Sequence, residues 1–353
     1  MNVLDEYLLE AMKLKASDLH LTVALPPMVR INGQLQPLGD RPPLTPEQTR
    51  EIVLSMITPV QAKTLEEKGQ VDFAYVIQKQ GRFRANVFKQ RRSYSAALRI
   101  LVQEMPTIDK LGLPTTIKEF ALKPRGLVLL TGPTGSGKST TLAAMVDYIN
   151  DSKHCHVLTI EDPIEYLHRH KNCIVNQREV GDDTSSFSDA LRSALREDPD
   201  VILVGEMRDL ETISTAIMAA ETGHLVLSTL HTIGAAQTVD RMIDMFPPHQ
   251  QEQIRVQLAS VLQGVVSQQL LMNATHTGRV LALEILIVND AVRNLIRENK
   301  CHQIMTAMQT GIKQGMIPMD YDLSRLVLKS EISPMEAYSH CIDAETLRRY
   351  ISA

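Results

Sequence analysis

At 353 residues the chain exceeds what one ordinary hydrophobic core organises, so a large domain and a smaller one are expected. Hydrophobic residues at 44% and charged residues at 22% exclude disordered and collagen-like classes. Apolar runs such as 126–130 and 201–204 are strand-length, and none approaches the roughly 18 residues of a membrane span. A net charge of −4 makes general attraction to nucleic acid a poor default. The four scattered cysteines, with no C-x-x-C, argue against a zinc ribbon or a disulfide scaffold and fit a reducing cytosol. Asp5, Glu6 and Glu10 near the start, with no basic stretch ahead of an apolar one, argue against a secretory signal.

Residues 1–100 hold 14 Lys/Arg against 10 Asp/Glu, a net of +4 that leaves −8 for the remainder. In this region 18–23, 28–31, 71–77 and 82–88 alternate with period two and are split by Pro26-Pro27, Gly33 and Gly81, so they are predicted strands of an α+β domain. Thr45 as N-cap, Pro46 at the first helical position and Glu47 in the first turn predict a helix over 44–56. A proline-containing stretch (Pro106, Pro114, Pro124) then leads into a different texture. Strands are predicted at 127–131, 157–160, 201–204 and 225–228, alternating with helices at 138–149, 186–196 and 209–221. That alternation implies a mostly parallel α/β sheet. Beyond Pro247-Pro248 come a long helix through Ser260, two β segments at 264–271 and 279–288, and helices to the end.

The chemistry concentrates in the second region. Gly132-Pro133-Thr134-Gly135-Ser136-Gly137-Lys138-Ser139 matches G-x-x-x-x-G-K-[ST] completely and lies between a predicted strand and a predicted helix, followed by Thr140. The glycines let backbone N–H groups surround phosphate oxygens, and the helix N-terminus adds its positive dipole end. Lys138 can reach the β- and γ-phosphates, and Ser139 can ligate Mg²⁺. This reads as a nucleoside triphosphate site.

Val201–Val204 leads to Glu206, an acid at the end of an apolar strand, suited to hold Mg²⁺ directly or through water, or to orient an attacking water. A second acidic segment, with Glu161, Asp162 and Glu165, follows the strand at 157–160, and Pro163 ends the pairing there. Taken alone it reads as a solvated turn; beside a P-loop, the functional reading prevails. His231 follows another strand end, where a γ-phosphate sensor sits, although a lone histidine is as often structural. His168 and His170 lack an acidic or thiol partner at metal-binding spacing, and His20 reads as structural.

The run Lys79–Arg99 contains seven basic residues and no acidic one. It fits a solvated strand face, a nucleic-acid patch with Phe83, Phe88 and Tyr94 interleaved, or a set of arginine fingers. Beside a P-loop domain the finger reading is the best of the three.

Together these blocks resemble the secretion-ATPase superfamily, and within it the retraction (twitching-motility) ATPases of type IV pili. The segments that carry the resemblance are SDLHL (17–21), RFRANVFKQR (82–91), GPTGSGKSTTLAAM (132–145), TIEDPIEY (159–166), NQREVG (176–181), ALREDPDVILVGEMRDLETI (194–213), AAETGHLVLSTLHT (219–232) and AVRNLIRE (291–298). The resemblance implies a PAS-like domain over 1–105, a linker over 106–125 and a RecA-like P-loop NTPase domain with a C-terminal helical region over 126–353. It implies ATP and Mg²⁺ as ligands and a cytoplasmic homohexamer docked on an inner-membrane platform protein at the pilus base, with pilin depolymerised indirectly. No nucleic-acid partner and no transmembrane segment are expected.

By motif, Glu206 corresponds to the Walker B glutamate, Glu161 and Glu165 to the Asp box and His231 to the His box. Arg84, Arg91 and Arg99 match arginines that face the active site. Which carboxylate polarises the water stays open. Extension ATPases usually add N-terminal domains and a four-cysteine module; the absence of C-x-x-C and the presence of AVRNLIRE, with Val292 where Ile is commoner, favour retraction. The remaining alternatives are a RecA-like nucleic-acid translocase and an accessory pilus or secretion ATPase. The tail after Ile317 departs more from the family's segments, and its role is left open.

Overall fold

The structure, a computed structural model, describes residues 2–31, 33–78, 80–101 and 104–352. Lys79, where the basic run begins, and residues 1, 32, 102, 103 and 353 of the expected domains lie outside the described residues. The chain divides into two compact units, 1–105 with 163–167, and 106–162 with 168–353.

In the smaller unit the elements run α1 (Val3–Lys13), β1 (Asp18–Leu21), β2 (Met28–Ile31), β3 (Gln34–Pro37), α2 (Pro46–Met56), α3 (Pro59–Lys68), β4 (Gln70–Ile77), β5 (Gly81–Gln90) and β6 (Ser93–Ile100). Each helix opens on a reciprocal cap: Asn2 with Asp5, Thr45 with Gln48, Thr58 with Gln61. These side chains satisfy first-turn amides that have no earlier carbonyl to reach. The strands form one antiparallel sheet in the order β3-β2-β1-β6-β5-β4. Leu19, Phe83, Ala85, Val87 and Leu98 line its inner face against Leu4, Leu8 and Val53 of the helices. Of the alternate positions, Arg84 and Arg99 are exposed, whereas His20, Asn86 and Ala97 are half-buried.

The first strand stops short of the expected end. Val23 makes an isolated bridge to Leu44 instead of continuing β1. In the β5–β6 hairpin Gln90 lies opposite Ser93, so the loop is just Arg91-Arg92, at φ +45° and +66°. Two positive φ values in a two-residue loop are the signature of a type I′ turn, which matches strand twist but favours Asn-Gly.

The larger unit contains α4 (Thr115–Ala121), β7 (Gly126–Thr131), α5 (Lys138–Ser152), β8 (His156–Glu161), β9 (Ile174–Glu179), α6 (Phe187–Ala194), β10 (Val201–Val204) and α7 (Leu210–Glu221). These are followed by β11 (Leu225–Leu230), α8 (Ala235–Asp244), α9 (Pro248–Val261), β12 (Leu262–Met272) and β13 (Arg279–Ile287). The helices α10 (Asp290–Arg297), α11 (Ile304–Thr310), α12 (Met319–Leu328), α13 (Pro334–His340) and α14 (Ala344–Ser352) complete it. The sheet order is β13-β12-β7-β11-β10-β8-β9, parallel throughout except for β13.

Strand residues alternate between two cores. Leu127 and Leu129 pack with helices α6 to α11, whereas Val128 and Leu130 pack with α4 and α5. Burial on both faces explains why β7, β10 and β11 are mostly apolar along their length. A third cluster seats α12, α13 and α14 on Leu271 and Ala282. The stretch 106–125, expected as a linker, folds into this unit. Phe120 lies on the sheet at Gly264, where a Cβ would stand 2.2 Å from its ring. Among the described residues no helix is long and apolar enough to cross a membrane.

Candidate nucleotide-binding site

The fully buried strand β7 delivers the chain into the loop 132–137, and α5 starts at Lys138. No side chain caps α5 and no acid lies in its first turn, so its leading amides and positive dipole end remain directed at the loop. Gly132 adopts φ +136°, and a Cβ there would stand 2.2 Å from the Gln268 carbonyl oxygen, so no other residue fits. Gly135 and Gly137 also take positive φ. The Lys138 ammonium turns back to donate to the carbonyls of Gly132 (2.8 Å) and Pro133 (3.0 Å). The Ser136 hydroxyl is buried and makes no hydrogen bond, while Ser139 is exposed in the first turn. A polyphosphate fits this cradle: the amides and Lys138 are its donors, and the orphaned Ser136 hydroxyl gains an acceptor.

Because β8, β10, β11 and β7 are parallel neighbours, their C-terminal ends bring Glu161, Glu206, His231 and the P-loop to one edge of the sheet. Glu206 follows β10, whose end is fixed by a bond from the Gly205 amide to the Ile160 carbonyl and by the Thr229 hydroxyl on the Gly205 carbonyl. Its side chain is only 14% exposed and both oxygens are engaged. Arg208 Nη2 lies 2.7 Å from one oxygen, and His231 Nε2 lies 3.3 Å from the other. Glu161 accepts from the Thr159 hydroxyl (2.6 Å) and the Gln177 amide (3.1 Å), and the Gln177 carbonyl in turn accepts from the His168 backbone N–H. Among the described residues no group of three or more His, Cys, Asp or Glu could hold a metal by itself. Ser139 and Glu206 are the residues at this edge that could hold a Mg²⁺ together with the phosphates, Glu206 by giving up Arg208 or His231 or through water.

Lys138, Ser139, Glu161, Glu206 and His231 thus belong to one edge of the larger unit. Glu165 falls in 163–167, which groups with the smaller unit, as do Arg84, Arg91 and Arg99. Within that unit Arg84 and Arg99 are directly cross-strand, and Arg99 is also opposite Asp18. Arg99 Nε is 3.0 Å from the Asp18 carboxylate. Desolvation alone would raise the Asp18 pKa, but hydrogen bonds from Ser17 and Arg99 bring it below its ordinary value. Arg84 and Arg91 are exposed and have no ion pair among the described residues.

Arg208 was not singled out by the sequence. Its only signal is its place two residues beyond Glu206, on the same loop. At His168 desolvation, with Asp147 opposing it and Lys171 adding to it, takes the pKa down to about 4. The His170 imidazole accepts from the Val175 amide at 3.0 Å.

A P-loop opening a helix on a parallel sheet, with carboxylates and a histidine at the adjoining strand ends, defines a RecA-like P-loop NTPase fold. The family model described as "Type II/IV secretion system protein" matches residues 1–349. The chain is 51% identical, over 93% of its length and 95% of the relative's, to the "Type IV pilus retractation ATPase PilT" of Pseudomonas aeruginosa. It is 48% identical, over 91% of its length and 86% of the relative's, to a "Twitching motility protein" of Neisseria gonorrhoeae. The solved structure of the pilus retraction motor PilT with bound ADP superposes with a TM-score of 0.93 at 53% identity, covering 99% of each chain. The chain belongs to the type II/IV secretion system protein family.

Proposed function

We propose that this protein is a hexameric ATPase motor that hydrolyses ATP to retract type IV pili. The observation that carries the reading is the alignment of Lys138, Glu161, Glu206 and His231 on neighbouring strand ends, in a chain alike over nearly its whole length to a named retraction ATPase.

On binding, Lys138 exchanges its two loop carbonyls for β- and γ-phosphate oxygens, which lets the loop glycine amides converge on the same group. Ser139 and Glu206 would hold a Mg²⁺, directly or through water, and the bound ion would supply charge neutralisation at the phosphates. Glu206 and Glu161 are the two candidates to accept a proton from the attacking water. Both already accept hydrogen bonds, Glu161 from Thr159 and Gln177 and Glu206 from Arg208 and His231, which orients their lone pairs. His231 holds the second oxygen of Glu206 and stands as its link to the γ-phosphate.

Arg84, Arg91 and Arg99 would enter the site of a neighbouring copy, stabilising transition-state charge. Arg84 and Arg91 are the stronger candidates, because Arg99 must first leave Asp18. Glu165, carried with the smaller unit, is assigned a supporting acidic role. The mechanical output is pilin depolymerisation through a membrane platform protein at the cytoplasmic face of the pilus base.

The test is a strain lacking this protein. It is expected to hold long, unretracted pili and to lose twitching, and Lys138→Ala should fail to complement. Normal pilus length and twitching in that strain would overturn the assignment. Fluorescence anisotropy with single-stranded DNA should give negligible, salt-insensitive binding; tight binding with a steep salt slope would point to the translocase reading.

A further inference from the structure

The loop 231–234 joins β11 to α8 and carries His231, and its two ends are fixed by different means. At its start the backbone leaves β11 directly. At its end Gly234 is the N-cap of α8 at φ +90°, and no local side chain satisfies the first amides of the helix. Two side chains from distant strands do so instead. The Gly234 N–H donates to the Ser267 hydroxyl of β12 at 3.1 Å, and the Ala235 N–H donates to a Glu284 carboxyl oxygen of β13 at 2.6 Å.

Ser267 and Glu284 are directly opposite in the β12–β13 ladder, and Ser267 is opposite Thr131, the last residue before the P-loop. Residues in lateral register share a sheet face. Glu284, Ser267 and Thr131 therefore form a polar row, fully buried, running from the α8 N-terminus to the strand that delivers the phosphate loop. Desolvation pushes the Glu284 pKa up, with the Ala235 and Met319 amides opposing. Its second oxygen makes no hydrogen bond of regular geometry. A carboxyl kept in such a place, where an apolar side chain would fill the same volume, is costly unless the amides it holds matter.

We propose that Glu284, seconded by Ser267, is the positioning residue that fixes the His231 loop and so holds the imidazole against Glu206. This rests on the role given to His231 above. Glu284 touches neither nucleotide nor reacting atoms; it acts through the four-residue loop. Replacing it with leucine leaves the Ala235 amide buried without an acceptor, and the loop end is then free to shift. Glutamine restores an acceptor of the same shape.

The experiment is single-turnover ATP hydrolysis by the full-length protein, with nucleotide affinity measured separately, for Glu284→Leu, Glu284→Gln, His231→Ala and the Leu/Ala double variant. Glu284→Leu is expected to slow hydrolysis about tenfold or more at unchanged nucleotide affinity, and Glu284→Gln to recover most of that loss. In the His231→Ala background, Glu284→Leu should cost less than about twofold further, because the loop then has no imidazole to misplace. Should the leucine variant fail to fold, Ser267→Ala, which removes the other acceptor with little change in volume, enters the same cycle. Multiplicative losses in the double variant, or an equal loss for Gln and Leu, would overturn the positioning role while leaving His231 in place. Full activity of His231→Ala would instead remove the reading beneath it.

Discussion

Two arginines in a type I′ turn give a sharp test of whether the hairpin tip is kept for function. Left-handed backbone costs an ordinary L-residue roughly 1–2 kcal/mol, so Arg91 and Arg92 at φ +45° and +66° together hold roughly 2–4 kcal/mol. The double substitution Arg91→Asn with Arg92→Gly relieves most of that cost. Glycine gives back about 0.5–1 kcal/mol as unfolded-chain entropy, and asparagine retains part of its own left-handed cost. The net expectation is a gain of about 1–2 kcal/mol in the smaller unit. Native-state hydrogen exchange of the β5 and β6 amides reads this in the intact protein, without assuming that the two units unfold together. The same double variant should lose turnover by about 10³-fold, as removal of a finger does, while Arg92→Gly alone gains stability and keeps its rate. A double variant that is less stable, or one that is more stable and fully active, would refute the link between strain and function.

Lys138→Ala is expected to abolish hydrolysis, and Glu206→Gln to bind ATP but turn over at least about 10²-fold more slowly; near-normal turnover in the latter assigns the base to Glu161. Arg84→Ala should lower kcat by on the order of 10³-fold without weakening nucleotide binding, and mixing it with Lys138→Ala subunits should restore part of the activity. The Asp18 carboxyl sits below its ordinary value, so its contribution to stability is present above the unfolded pKa and is lost as pH falls through the folded one. Arg99→Ala should therefore move the Asp18 titration, followed by NMR, upward; an unmoved titration would mean that the Arg99 pair is absent in solution. Light scattering should show a hexamer, with specific activity rising with protein concentration, whereas a fully active monomer would exclude arginines supplied by a neighbour.

The phosphate loop was legible because it is local. Positive φ at Gly132, Gly135 and Gly137 and the lysine after them are demands on consecutive residues, so a short string of letters reports them. Strands β7, β10 and β11 were legible for a related reason: sealed on both faces, they are predominantly apolar, and Thr131, Ser228 and Thr229 are the polar exceptions. The Thr45 cap and Pro46 likewise announced α2 by chemistry confined to one turn.

Other features had no local signature. Strand β9 lies at the sheet edge with Asn176 exposed, and β3 is exposed along its whole length, so neither carries the periodicity that marks a half-buried strand. The 106–125 stretch looked like a linker because its prolines were visible and its burial against Gly264 was not.

Within the site, the sequence named Glu206 and His231 but could not say that Arg208 and His231 divide the two carboxylate oxygens between them. Nor could it say that Asp18 already holds Arg99, 81 residues away. Still less could it show that a glutamate 49 residues beyond Ala235 caps α8. Side-chain alternation tells which face of a strand is buried, but it does not tell which strands become neighbours. The sheet order and register made that choice, and with it they placed Glu161, Glu206, His231 and Lys138 on one edge and Glu284 in lateral register with Ser267 and Thr131.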